Sequence, residues 1–268
     1  LRFIHERLTE AGVPPSFDPF TLARPFVRTF GVEAGLPSSV VYGLSKDGRG
    51  RLWAATQGGA AVFDGLRWAP VSPPQSKGPV RAILHAPDGS LWLGAEYDGL
   101  WRLKEGAWTH FNPDFGINAL VESRTVKPGL YAGTRGQGLL RWEEERWVSV
   151  QEGLETPWVW SVKEFPGPDG RTALWVASQK GVWRNQGGGW ERLGAELPQL
   201  EQGNGVHLGR DPDGRPVLRV SAWRHGLATW DGSRWLFQGP ETGFPSRLPT
   251  TLFGALSPDG ASWPVFAG

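Results

Sequence analysis

Arg135, Lys180 and Arg224 fall in short polar segments about one repeat apart, and together they could engage a carboxylate or sulfate group. Arginine does this bidentately through a planar fork, whereas lysine acts as a point charge. Tyr97 and Trp223 lie in two segments of the same kind and offer flat aromatic faces, while Asp98 and His225 add an acid and a titratable imidazole. These seven side chains are the expected ligand contacts, although for any one of them a solvated loop charge is the plainer reading. Glycoside hydrolysis would need two carboxylates facing one another across a sugar. Asp98, Glu152 and Glu155 lie on suitable segments, yet chain order assembles no nucleophile, base and orienting group. His5, His85, His110, His207 and His225 lack the close spacing of a zinc site. The chain contains no Cys, which removes thiol catalysis, disulfides and Cys-ligated zinc. The glycine run at 185–190 precedes no helix and so does not read as a phosphate loop. No catalytic residue, metal or cofactor is assigned.

The elements that must position these residues follow from a second pattern. Trp53, Trp92, Tyr131 and Trp175 each follow a Leu at steps of about 40 residues, and Trp68, Trp108, Trp147, Trp190 and Trp235 form a parallel series. That period, with short strands inside each unit, predicts an all-β fold: a β-propeller of four-stranded antiparallel blades. Residues 26–268 hold five complete blades and part of a sixth, and the intact ring would have six or seven. Asp47-Gly48, Asp88-Gly89, Asp169-Gly170, Asp213-Gly214 and Asp259-Gly260 mark the turn between the first and second strands of each unit. Gly58, Gly99, Gly138, Gly181 and Gly226 recur before each third strand. In the fifth unit the second-strand aromatic is lost, with Leu218 near its place. Residues 26–30 read as the outer strand of the last blade, and 1–25 as a leader and linker. Tryptophans that recur at one position per blade are expected to pack between blades rather than to bind sugars or bases.

A formal net charge of +1, from 28 basic and 27 acidic residues, gives no basic footprint for nucleic acid. No apolar run is long enough to span a membrane, so this part of the protein makes no membrane contact. The chain opens at Leu1 and contains no Met, so it reads as a piece of a longer protein.

The stretch "GLPSSVVYGLSKDGRGRLWAATQGGAAVFDG" resembles the two-component regulator propeller repeat in its Gly-Leu-Pro lead-in, Asp-x-x-Gly turn, Leu-Trp and Gly-rich bend. Units three and four match with substitutions, Tyr131 standing for the Trp. The resemblance implies the extracytoplasmic, periplasmic sensory part of a bacterial signalling protein. Its output module, a histidine kinase or diguanylate cyclase, would lie elsewhere, and pairing of the whole protein into dimers is compatible with it. The expected partner is a small or oligomeric ligand, a glycan fragment among the candidates. Two other readings stay open: a carbohydrate-active hydrolase or lyase, and a protein-interaction platform.

Overall fold

The Asp-Gly turns work through the Asp carboxylate. Asp47 Oδ1 accepts from the Arg49 and Arg51 amides, and Asp64 Oδ1 from Leu66 and Arg67. These bonds mimic a backbone turn and reverse the chain tightly enough for the flanking strands to pair. In the computed structural model, residues 30–267 are described except 72, 74–77, 112–114, 151, 212, 240–241, 243–250 and 257–261.

Five four-stranded antiparallel sheets follow one another along the chain. Blade 1 is β1 (Val41–Lys46), β2 (Leu52–Thr56), β3 (Gly59–Phe63) and β4 (Trp68–Val71); blade 2 is β5 (Val80–His85), β6 (Leu91–Ala95), β7 (Leu100–Lys104) and β8 (Ala107–Phe111). Blade 3 is β9 (Gly116–Ser123), β10 (Gly129–Arg135), β11 (Leu139–Glu143) and β12 (Arg146–Ser149). Blade 4 is β13 (Val159–Pro166), β14 (Thr172–Ser178), β15 (Gly181–Asn185) and β16 (Trp190–Leu193). Blade 5 is β17 (Gly203–Arg210), β18 (Pro216–Ala222), β19 (Gly226–Trp230) and β20 (Trp235–Gln238). A hairpin, β21 (Thr251–Leu256) with β22 (Ser262–Ala267), begins a sixth. The first strands β1, β5, β9, β13, β17 and β21 touch one another in turn, so they line the axis. The fold is the propeller that the repeat predicts.

Residues 1–29, the expected leader and most of the expected closing strand, lie outside the described residues. Phe30 meets Phe63 edge-on at 4.8 Å, as Phe111 at the end of blade 2 meets Trp142 of blade 3 at 4.8 Å. Phe30 thus occupies the place of an outer-strand end facing blade 1. Leu44 and Leu52 stay exposed, whereas their counterparts Ile83 and Leu91 are buried against Trp53 and Ala55 of blade 1. Blade 1 therefore turns an apolar side away from blade 2.

Packing explains the aromatic clock. Ser45 pairs with Trp53, Leu84 with Trp92, Val121 with Tyr131, and Lys163 with Trp175. Trp175 is fully buried, stacks on Phe165 at 5.3 Å and meets Trp230 of blade 5 at 6.4 Å. The outer-strand tryptophans are half-buried, and Trp147 and Trp235 pack on Trp142 and Trp230 of their own blades. In blade 5 the aromatic position is held by Arg219, opposite His207, and not by Leu218. One residue decides the sheet face, and Leu218 points into the core shared with blade 4. Arg219 keeps the polar tip of its predecessors. Its Nη2 donates to Arg210 O at 2.8 Å, as Trp175 Nε1 donates to Phe165 O at 2.9 Å.

The glycine pattern needs one adjustment. Left-handed φ recurs at Gly59, Gly99, Gly138, Gly181 and Gly226, so the blade 1 member is Gly59, with φ 118°. Gly58 is required for another reason: a Cβ there would lie 2.4 Å from Pro37 O.

Candidate functional site

The inner strand of each of the five complete blades carries a β-bulge near its start. Val41 pairs with Thr56 and Gly43 with Ala55, which leaves Tyr42 unpaired. The same register shift leaves out Arg81, Asn118, Trp160 and Asn204 in the next four blades. A bulge bends its strand and re-aims the extra side chain. One backbone slot thus presents Tyr, Arg, Asn, Trp and Asn in succession. A second slot follows the last core residue of each second strand and carries Gln57, Glu96, Arg135, Gln179 and Trp223. Both slots lie at the end of the propeller where the second-to-third strand turns are. They hold no aliphatic side chain, although the framework around them is apolar and repetitive.

Contacts join the slots of blades 1 to 4 into an arc. The Glu96 carboxylate is buried, and its Oε2 receives Arg81 Nε at 3.0 Å and Nη2 at 2.9 Å. Its Oε1 faces Arg135 Nη1 at 3.1 Å. The Arg81 guanidinium lies 4.2 Å over the Tyr42 ring, and that of Arg135 lies 5.5 Å from the Trp158 ring. Trp158 meets Trp160 at 5.3 Å, and Asn118 Nδ2 donates to Val159 O at 3.0 Å. Two guanidiniums share one carboxylate, so the arc carries net positive charge beside aromatic faces. Among the described residues Arg135 Nε and Trp160 Nε1 have no acceptor.

Two of the residues expected from sequence fall in these slots: Arg135 is part of the arc, and Trp223 holds the equivalent place in blade 5, half-buried. Tyr97, beside Glu96, is 74% exposed. Asp98 is occupied structurally. Its Oδ2 accepts from Trp101 Nε1 at 3.0 Å, while its carbonyl lies 2.8 Å from His110 Nε2, and the His110 ring stacks on Trp101 at 3.8 Å. Lys180, Arg224 and His225 are exposed at turn tips, Arg224 with φ 64°. Among the described residues no contact joins Lys180 or Arg224 to Arg135. Sequence reasoning missed Tyr42, Arg81, Glu96, Asn118, Trp158 and Trp160. The usable signal was a position near the start of each inner strand, second in β1, β5, β13 and β17 and third in β9, whose residue changes from one blade to the next.

The remaining acids are largely turn builders. For Asp47, burial acts to raise the carboxyl, but bonds from Trp53, Arg51 and Arg49 outweigh it and hold the group well below the usual range. Asp88 is held low in the same way by Ser90, Lys104 and Arg102. Glu164 reaches from β13 to the blade 3 turn, where it accepts from Ser123 Oγ at 2.7 Å and from the amides of Arg124, Thr125 and Val126 at 2.9, 3.1 and 3.0 Å. Its burial is outweighed by these donors, which bring it down to about 2. Among the described residues no group of three His, Asp or Glu is placed to hold a metal. At the opposite end, a cleft of about 690 Å³ opens between the turns of blades 1 and 2, and one of about 800 Å³ runs along the side between blades 3 and 4.

Residues 35–58 match the family model described as two component regulator propeller. The chain carries a two component regulator propeller repeat. That repeat covers the first strand, the Asp47 turn and the Leu-Trp of blade 1, including the Tyr42 bulge and Gln57. No curated protein sequence matches the chain. Among solved structures, an extracellular domain assigned to a hybrid two component system of B. thetaiotaomicron is similar at TM-score 0.52 and 14% identity, covering 88% of this chain and 39% of that one. A second, assigned to a one component system of the same organism, gives 0.54 and 17%, covering 85% and 37%. The chain therefore spans under two-fifths of those ectodomains. Virginiamycin B lyase from Staphylococcus aureus, an inactive H270A form with quinupristin, gives 0.57 and 12%, covering 84% and 83%. At such identities the likeness establishes the propeller fold. Among the described residues, no helix is long and apolar enough to cross a membrane.

Proposed function

We propose that this chain is a non-enzymatic, ligand-binding propeller of an extracytoplasmic bacterial sensory protein, and that its mouth takes an acidic oligosaccharide. The observation that carries this reading is the pair of slots whose combination of Asn, Gln, Arg, Glu, Tyr and Trp differs in each of the five blades. A rigid repeated scaffold with non-repeated polar and aromatic side chains at one end has the form of a grafted site. Aromatic faces suit sugar rings, planar amides suit hydroxyls, and an arginine pair around one carboxylate suits an acid group. The ectodomains of a hybrid two component system and of a one component system, similar in fold, and the matching family model support the sensory assignment. Signal output would require the ligand to bind one state of the whole protein better than another.

The lyase of similar fold, which this chain matches over 83% of its length, supports a second reading, a lyase on a propeller fold, which with an oligosaccharide as substrate would cleave it. At the mouth, however, the arc's acid is Glu96, and it is already held by two arginines. Calorimetric titration with oligogalacturonates, followed by recovery of the sugar, separates the two. Saturable binding with intact sugar is expected, weakened about tenfold or more in Arg81→Ala. Cleaved product would establish the lyase reading instead, and absence of binding to any acidic oligosaccharide would refute the ligand class.

A further inference from the structure

Lys163, on β13, is half-buried and has no hydrogen-bond or ion-pair partner among the described residues. Burial pushes its ammonium down from the usual lysine range. His207 on β17 holds the same slot one blade on: Lys163 pairs with Trp175, and His207 with Arg219. The two strands pack against each other beside the axis. Burial, then the charges of Lys163 and Arg219, push the His207 imidazole down to about 4. Arg219 is half-buried, and its one hydrogen bond among the described residues runs from Nη2 to Arg210 O. Among the described residues no carboxylate acts on any of the three. Glu164, next after Lys163, points to the other sheet face by strand alternation and is held by the 123–126 turn. Glu122, in the corresponding place on β9, is likewise on the other face.

Three basic groups gathered without an acid among the described residues repel one another's charged forms, and partial burial adds to that cost. A lysine with no structural partner, set beside two other basic groups, is a place where a ligand anion would supply the missing charge. We propose that Lys163, His207 and Arg219 form an oxyanion site beside the propeller axis, taking a single carboxylate, sulfate or phosphate group. Lys163 lies three residues beyond Trp160, so the site is about 10 Å below the mouth along the inner strand. It would fill with a free anion whether or not the mouth binds a sugar.

The test is to titrate the chain with millimolar sodium sulfate at fixed ionic strength while the His207 ring is followed by NMR. The thermal midpoint is a poor readout here, because sulfate stabilises proteins generally through exclusion from their surface. A saturable change is expected, with the His207 pKa rising by about one pH unit, since a bound anion favours the imidazolium. Lys163→Met, which keeps a similar side-chain length without charge, should weaken sulfate binding at least tenfold, and Arg219→Gln should weaken it as well. Arg81→Ala should leave it intact, so failure of the mouth reading would leave this result standing. Galacturonate against galactose gives a second arm, which separates a sugar acid from a free anion. Either source satisfies the site provided Lys163→Met removes the response. No saturable change at His207 in either arm, or the same change in Lys163→Met, overturns the proposal.

Discussion

Trp175→Ala is expected to destabilise the propeller by about 3–5 kcal/mol. The ring is fully buried between blades 4 and 5, stacked on Phe165 and set against Trp230, with Val206, Leu218 and Val220 around it. Its removal costs the transfer free energy of a large aromatic and leaves a cavity that two rigid sheets cannot close. The thermal midpoint should fall by about 10 °C for a chain of this size. Trp158→Ala, at the half-buried mouth, provides the contrast and should change stability by about 1 kcal/mol or less. Chemical denaturation of both variants decides the matter. Near-equal losses would mean that the periodic and mouth tryptophans do not divide into packing and recognition roles.

Glu164→Ala carries the second large effect. One carboxylate satisfies three backbone amides and two hydroxyls of the neighbouring blade, at Ser123 through Val126. Removing it leaves those donors without their acceptor and unties blade 3 from blade 4, at about 2 kcal/mol after discounting the solvent-exposed part. The pH dependence follows from the carboxyl lying at about 2 in the fold, below the usual glutamate value of roughly 4.3. Its contribution is present above that unfolded value and is lost as pH falls toward 2. The stability gap between wild type and Glu164→Ala should therefore be widest near neutrality and narrow below pH ~4. Urea midpoints measured at several pH values give the answer; a gap that stays constant down to pH ~2 would contradict the assigned role.

Much of the architecture was readable because its causes are local. Asp47 and Asp64 build turns through their own backbones, and a buried ring recurs wherever two sheets meet, so both repeat at the blade period. Arg219 escaped because a single residue separates the two faces of a strand, and only the pairing with His207 fixes which face it takes. The mouth was legible in part. Arg135 and Trp223 stand out as loop residues, but Tyr42, Arg81 and Trp160 look like ordinary strand residues until the bulge register is known. Glu96 illustrates the limit. Its role depends on Arg81 of its own blade and Arg135 of the next, a contact that no spacing rule specifies.

Fluorine NMR of the 5-fluorotryptophan-labelled chain, titrated with an oligogalacturonate, tests the central claim most directly, because every tryptophan reports separately. Resonances of Trp158 and Trp160 are predicted to shift saturably, assigned by Trp→Phe variants, while those of Trp53 and Trp175 in the blade interfaces stay in place. Shifts confined to the interface tryptophans, or none at all with any acidic oligosaccharide, would contradict a recognition site at the mouth.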